Sequence, residues 1–114
     1  MIEYKKMKGD ETMVTVLTSK NFTDEAVNTQ DTVLIDFWAS WCGPCRMLSP
    51  VIDEIGEEGR PGLKVCKVNV DEEGELAQTF GVMSIPTLIV MRGGKIVNKS
   101  VGVIPKEAVL DLVK

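Results

Sequence analysis

An α/β fold, with a central mixed five-stranded sheet flanked by helices on both faces, is predicted by three features of the sequence. Short β-branched runs alternate with segments whose apolar residues fall at helical spacing. Residues 32–39 are almost continuously apolar, as in a strand buried on both faces. Two later apolar runs are separated by Arg92-Gly-Gly-Lys95, a hairpin signal that adds an antiparallel pair to an otherwise parallel sheet.

Residues 13–17 (Met-Val-Thr-Val-Leu) read as the first strand. Thr18 and Ser19 suit the cap of a short helix in which Phe22, Ala26 and Val27 share a face. Residues 32–39 supply the central strand, where Asp36 is the anomaly. After 40–44, Met47, Leu48, Val51, Ile52 and Ile55 lay an apolar stripe along a helix, with Gly56 and Gly59 as candidate stops. Pro50 lies inside that stripe; it removes one backbone hydrogen bond and clashes with the preceding turn, which predicts a kink. Residues 63–70 form a strand parallel to the central one, reached by a right-handed crossover. Leu76, Ala77 and Phe80 mark a short helix before Gly81. The hairpin strands are 87–91 and 96–101, and Pro105 opens a last helix with Ala108, Val109, Leu112 and Val113 on one face. The order is β-α-β-α-β-α-β-β-α, a domain over 13–114 behind a mobile extension over 1–12.

The chain has 114 residues, 44% hydrophobic, enough for one domain to hold a core without disulfides or metal. Its three cysteines and absent histidine exclude His-based triads, Cys-His nucleophiles and zinc sites containing histidine. An odd cysteine count fits a reduced cytoplasmic protein better than a secreted disulfide framework. The net charge of −4 argues against nucleic acid as a partner. Lys5, Lys6 and Lys8, diluted by Glu3, Asp10 and Glu11, read as a solvated tail. No apolar stretch has the length of a secretory signal or a membrane span.

Cys42-Gly-Pro-Cys45 stands where a buried strand hands over to a helix. Unpaired amides at a helix N-terminus favour an anion and lower the pKa of a thiol there, so Cys42 is expected to be the more accessible thiolate of the two. One helical turn brings Cys45 back within reach, so that it can attack a mixed disulfide formed at Cys42. Pro44 restricts the backbone between them and Gly43 lets another chain approach. Half a zinc site is the main competitor, but only Cys66 is left to complete four ligands. A structural disulfide closing so small a loop removes little entropy, and glycine and polar neighbours disfavour an inert buried pair. A reversible two-electron switch is the reading that remains.

Asp36-Phe-Trp-Ala-Ser-Trp-Cys-Gly-Pro-Cys-Arg46 with Pro50, followed by Gly81-Val-Met-Ser-Ile-Pro-Thr87, resembles the thioredoxin family across 13–114. That resemblance implies the thioredoxin fold and a thiol–disulfide oxidoreductase, specifically a protein-disulfide reductase and electron carrier serving cell redox homeostasis. It also implies disulfide-containing protein substrates, regeneration by a thioredoxin reductase with NADPH as ultimate donor, a monomer, and no cofactor or metal of its own. A cis bond before Pro86 is implied, with Trp41, Gly43, Pro44, Ile85, Pro86, Val101 and Gly102 forming an apolar substrate-docking surface. Trp38 is assigned to the core, as are Met47 and the other methionines.

A carboxylate in a buried strand is costly when charged, so Asp36 should carry a raised pKa. By resemblance Lys67 faces Asp36, and Asp36 is expected to accept the proton of Cys45, directly or through water, as it attacks. Cys66 reads as a small core residue, with a regulatory thiol as the alternative. Arg46 either adds positive charge near the thiolate or is a solvated helix residue. Two other functions compete: an oxidase or isomerase, for which the histidine common between such cysteines is missing, and a binding module that uses the same apolar face without turnover.

Overall fold

The computed structural model describes residues 13–114; the extension expected over 1–12 lies outside the described residues. Five strands, β1 (Val14–Val16), β2 (Thr32–Trp38), β3 (Leu63–Asn69), β4 (Thr87–Arg92) and β5 (Lys95–Val101), form one sheet in the order β1-β3-β2-β4-β5. β3 pairs parallel to both β1 and β2, whereas β2–β4 and β4–β5 are antiparallel. The apolar run of β2 is explained by its central place: Val33 to Phe37 are all buried. Gly93 and Gly94 both have positive φ (62° and 78°), which only glycine adopts freely and which the tight β4–β5 turn requires.

Three helices follow as expected: α1 (Gly43–Glu57), α2 (Gly74–Thr79) and α3 (Lys106–Leu112). The early helix is a single π-helical turn, Thr23–Val27, closed by the Asn28 amide donating to the Thr23 carbonyl. Thr18 and Ser19 do not cap it; Asn21 Oδ1 instead accepts from the Thr18 amide at 2.7 Å. α1 continues through Pro50, and through Gly56, to Glu57. Gly56 is therefore not a stop. A Cβ there would lie 2.6 Å from Val14 Cγ2 and 3.2 Å from the Met13 carbonyl oxygen, so glycine lets α1 approach β1.

Strand alternation divides the core in two. One face gathers Leu17, Val33, Ile35, Phe37, Cys66 and Val68 under the π turn and α2, where Phe80 packs against Phe22 and Phe37 at 5.3 and 5.9 Å between centroids. The other gathers Leu34, Val65, Leu88 and Val90 under Leu48, Ile52 and Ile55 of α1 and Val109 of α3. Lys106 ties α3 to α1 by donating to Glu54 at 2.6 Å and to Glu58.

The methionines depart from the expectation. Met91 is buried, but Met13, Met47 and Met83 are 57%, 68% and 95% exposed. Met47 sits about 100° around the helix from Leu48, outside the arc that faces the sheet.

Candidate active site

β2 ends at Trp38, and the chain turns through Ala39–Trp41 so that Cys42 becomes the N-cap of α1. Cys42 has an extended backbone (φ −90°, ψ 113°), and its sulfur accepts the Cys45 amide at 3.1 Å. That contact shows how a helix end holds negative charge on sulfur: an amide with no partner inside the helix points at it. Cys42 and Cys45 are joined as a disulfide, with Cα atoms 5.2 Å apart. Pro44 takes the first turn of the helix, where its missing donor costs nothing.

The disulfide rests in a small apolar cluster made by Ala39, with Trp38, Val70 and Ile85 packed against it. Trp38 thus belongs beside the sulfurs, half-buried, and not to either core. The Ile85–Pro86 bond is cis, and the Cys42 sulfur lies 3.8 Å from the Ile85 carbonyl oxygen. Pro86 is buried, and its carbonyl accepts the Gly102 amide at 2.8 Å, which draws the end of β5 to the site. Gly102 manages this with a φ of 99°. Val101 beside it is exposed, as are Gly43 and Pro44.

Trp41 is 67% exposed and its indole N–H donates to Asp71 Oδ2 at 2.8 Å, which fixes the ring over the rim. Trp41, Val70, Val82, Met83, Ser84 and Ile85 line a shallow cleft of about 170 Å³ next to the disulfide. Asp71, Val82, Met83 and Ser84 were not among the residues expected there. Gly81–Thr87 carried the family resemblance, but nothing local in the sequence says which of its side chains line a cleft.

Asp36 is fully buried on the α1 face, and neither carboxylate oxygen has a hydrogen-bond partner among the described residues. Burial pushes its pKa up to about 7; the Lys67 ammonium pulls it down and the Asp53 carboxylate adds to the rise. Lys67 is Asp36's register neighbour across β2–β3. Its Nζ, however, donates to Ser49 Oγ at 2.7 Å and pairs with Asp53 Oδ1 at 3.1 Å. Ser49 and Asp53 are not among the expected site residues, although their spacing is a signal: Cys45, Ser49 and Asp53 recur at four-residue intervals and share a helix face. Arg46 is exposed and donates from Nη1 to the Ser40 carbonyl at 2.7 Å, bracing the turn before the cysteines. Cys66 is buried on the opposite face, where burial pushes its thiol up to about 12.

A family model described as Thioredoxin matches residues 13–114. The chain belongs to the thioredoxin family. It is 49% identical over 96 residues to the thioredoxin of Bacillus subtilis (strain 168), covering 84% of this chain and 90% of that one. It is 50% identical over 91 residues to that of Alicyclobacillus acidocaldarius subsp. acidocaldarius, covering 80% and 86% respectively. Among solved structures, a mutant thioredoxin from Halobacterium salinarum NRC-1 is similar, with a TM-score of 0.79 at 36% identity, covering 88% of this chain and 87% of that one. The five-stranded mixed sheet is the thioredoxin fold, and the chain is a thiol–disulfide oxidoreductase whose redox-active centre is the Cys42–Cys45 pair.

Proposed function

We propose that this chain is a cytoplasmic, monomeric protein-disulfide reductase, and that the position of Cys42 carries the reading. Its sulfur stands at the helix N-cap, beside the Ile85 carbonyl and next to the apolar cleft of Trp41. A segment of substrate lying extended along Ile85 would bring its disulfide to Cys42. Trp41, Gly43, Pro44, Ile85, Pro86, Val101 and Gly102 form the surface on which it docks.

In the reduced protein the Cys42 thiolate attacks one substrate sulfur, forming a Cys42–substrate disulfide and releasing the other sulfur as a thiolate. Cys45 then loses its proton to Asp36, directly or through a water, and attacks the Cys42 sulfur, displacing the second substrate thiolate. Two electrons pass to the substrate, and the Cys42–Cys45 disulfide is the product. A carboxyl poised near neutrality is suited to taking a thiol proton, and Lys67 sets its charge environment. A thioredoxin reductase, drawing on NADPH, returns the pair to the dithiol and makes the chain an electron carrier. Among the described residues no helix is long and apolar enough to cross a membrane.

Reduction of insulin disulfides by the Cys variants tests the roles. Cys42→Ser should be inactive without forming a substrate adduct. Cys45→Ser should be inactive while accumulating a mixed disulfide at Cys42, visible by intact mass. Turnover in either variant, or an adduct in Cys42→Ser, would overturn the assignment.

A further inference from the structure

Lys67 has two carboxylates to choose from, and it takes the one outside the sheet. It stands directly across the β2–β3 pair from Asp36, whose oxygens have no hydrogen-bond partner among the described residues. The ammonium turns instead to Ser49 Oγ at 2.7 Å and Asp53 Oδ1 at 3.1 Å, with the Trp38 ring centroid 5.8 Å away. Ser49 and Asp53 lie one turn apart on α1, so a single helix face presents both. Val14, Val16, Asp53, Glu57 and Lys67 line a cleft of about 240 Å³ into which this ion pair opens.

We propose that Ser49 and Asp53 are positioning residues that hold the Lys67 ammonium toward this cleft and out of direct contact with Asp36, leaving the Asp36 carboxyl unpaired and able to take a proton. The proposal deepens the proposed mechanism and rests on its assignment of Asp36 as the acceptor. Its physical basis is the cost of the alternative. An ammonium within about 4–6 Å of a carboxylate lowers the carboxyl pKa by about 1–3 units, and a carboxylate of lower proton affinity is a weaker base for a thiol proton. The charged groups around Asp36 are Lys67 from β3 and Asp53 from α1, with Glu57 farther along the cleft; β4 offers the apolar Leu88 at the register position.

Asp53 acts on Asp36 in two ways, through its own negative charge and through its hold on Lys67. Ser49 carries no charge, so its influence runs only through Lys67. That difference makes Ser49→Ala the informative variant, and alanine keeps the helix.

The test is a pH titration of the Asp36 side-chain carboxyl carbon by NMR in the oxidised protein. Ser49→Ala should lower the midpoint by about one pH unit, the low end of the range for a newly adjacent cation. Asp53→Asn should lower it as well. In a Lys67→Met background, Ser49→Ala should move nothing. An unmoved midpoint in Ser49→Ala, a shift of equal size in Lys67→Met, or a rise in Asp53→Asn would overturn the proposal. The titration needs no turnover, so its outcome stands apart from insulin reduction, which tests the mechanism itself.

Discussion

Asp36→Ala should make the protein more stable, and by an amount that grows with pH. The folded carboxyl titrates at about 7 against an ordinary 3.8, mainly because the buried charge is desolvated. Between those values the folded state binds more protons than the unfolded chain, so raising the pH favours unfolding. Below 3.8 both states are protonated and Asp36 costs nothing through its charge; above 7 both are ionised and the full cost applies. The gap is about three pH units at 1.36 kcal/mol each, so a fully ionised Asp36 costs about 4 kcal/mol. Removing it orphans no cation, because Lys67 keeps Ser49 and Asp53.

Alanine also loses the packing of the carboxyl group, but that loss does not change with pH. The difference between two pH values therefore isolates the charge. Urea unfolding of oxidised parent and variant at pH 5 and pH 8.5 should show the variant gaining about 2.5 kcal/mol relative to the parent, because part of the cost is already present at pH 5. In a domain of this size that corresponds to a relative rise in Tm on the order of 10 °C. Parallel stabilities at the two pH values would refute the buried, unpaired carboxyl.

Two further outcomes follow from packing. Gly56→Ala should destabilise despite the helix preference of alanine. The added Cβ meets Val14 Cγ2 at 2.6 Å and lies 3.2 Å from backbone, so the loss should fall toward the top of the about 1–3 kcal/mol typical of overpacking; unchanged or raised stability in urea would refute the close approach. Cys66, fully buried and with its thiol pushed up to about 12, should resist iodoacetamide in the native oxidised protein at pH 8 and react once the chain is unfolded. Rapid native labelling would contradict its burial.

The order of elements was legible because it rests on local period: the β-branched runs, the stripe of Leu48, Ile52 and Ile55, and Gly93-Gly94 each declare themselves within a few residues. The cysteine pair was legible for the same reason, since its chemistry depends on one turn of helix. What the sequence withheld depends on neighbours distant along the chain. Met47 and Leu48 are equally apolar, and only the placement of α1 on the sheet decides that one is covered and the other exposed. Gly56 looked like a helix stop because its reason for being glycine, Val14, lies more than forty residues away. Trp38 reads as a core residue from the sequence, yet it lies at the end of β2, where the sheet gives way to the disulfide. By register Lys67 does face Asp36; the direction of a long, flexible ammonium is set by the partners α1 offers, and no strand pattern reveals them.

The third cysteine shows how much of the chemistry depends on strand parity. Leu34 and Asp36 alternate with Ile35 and Phe37 along β2, and Val65 and Lys67 alternate with Cys66 and Val68 along β3, so Asp36 and Lys67 face α1 while Cys66 faces the other core. A thiol on the α1 face would lie on Cys45's side of the sheet. A one-residue slip of β3 would produce that exchange of faces, placing Cys66 toward α1 and Lys67 in the apolar core. The slip is opposed because it would bury an ammonium among Val33, Ile35 and Phe37 without Ser49 or Asp53 to receive it. Lys67 therefore helps to hold Cys66 on the face away from α1, through the same register that places it beside Asp36.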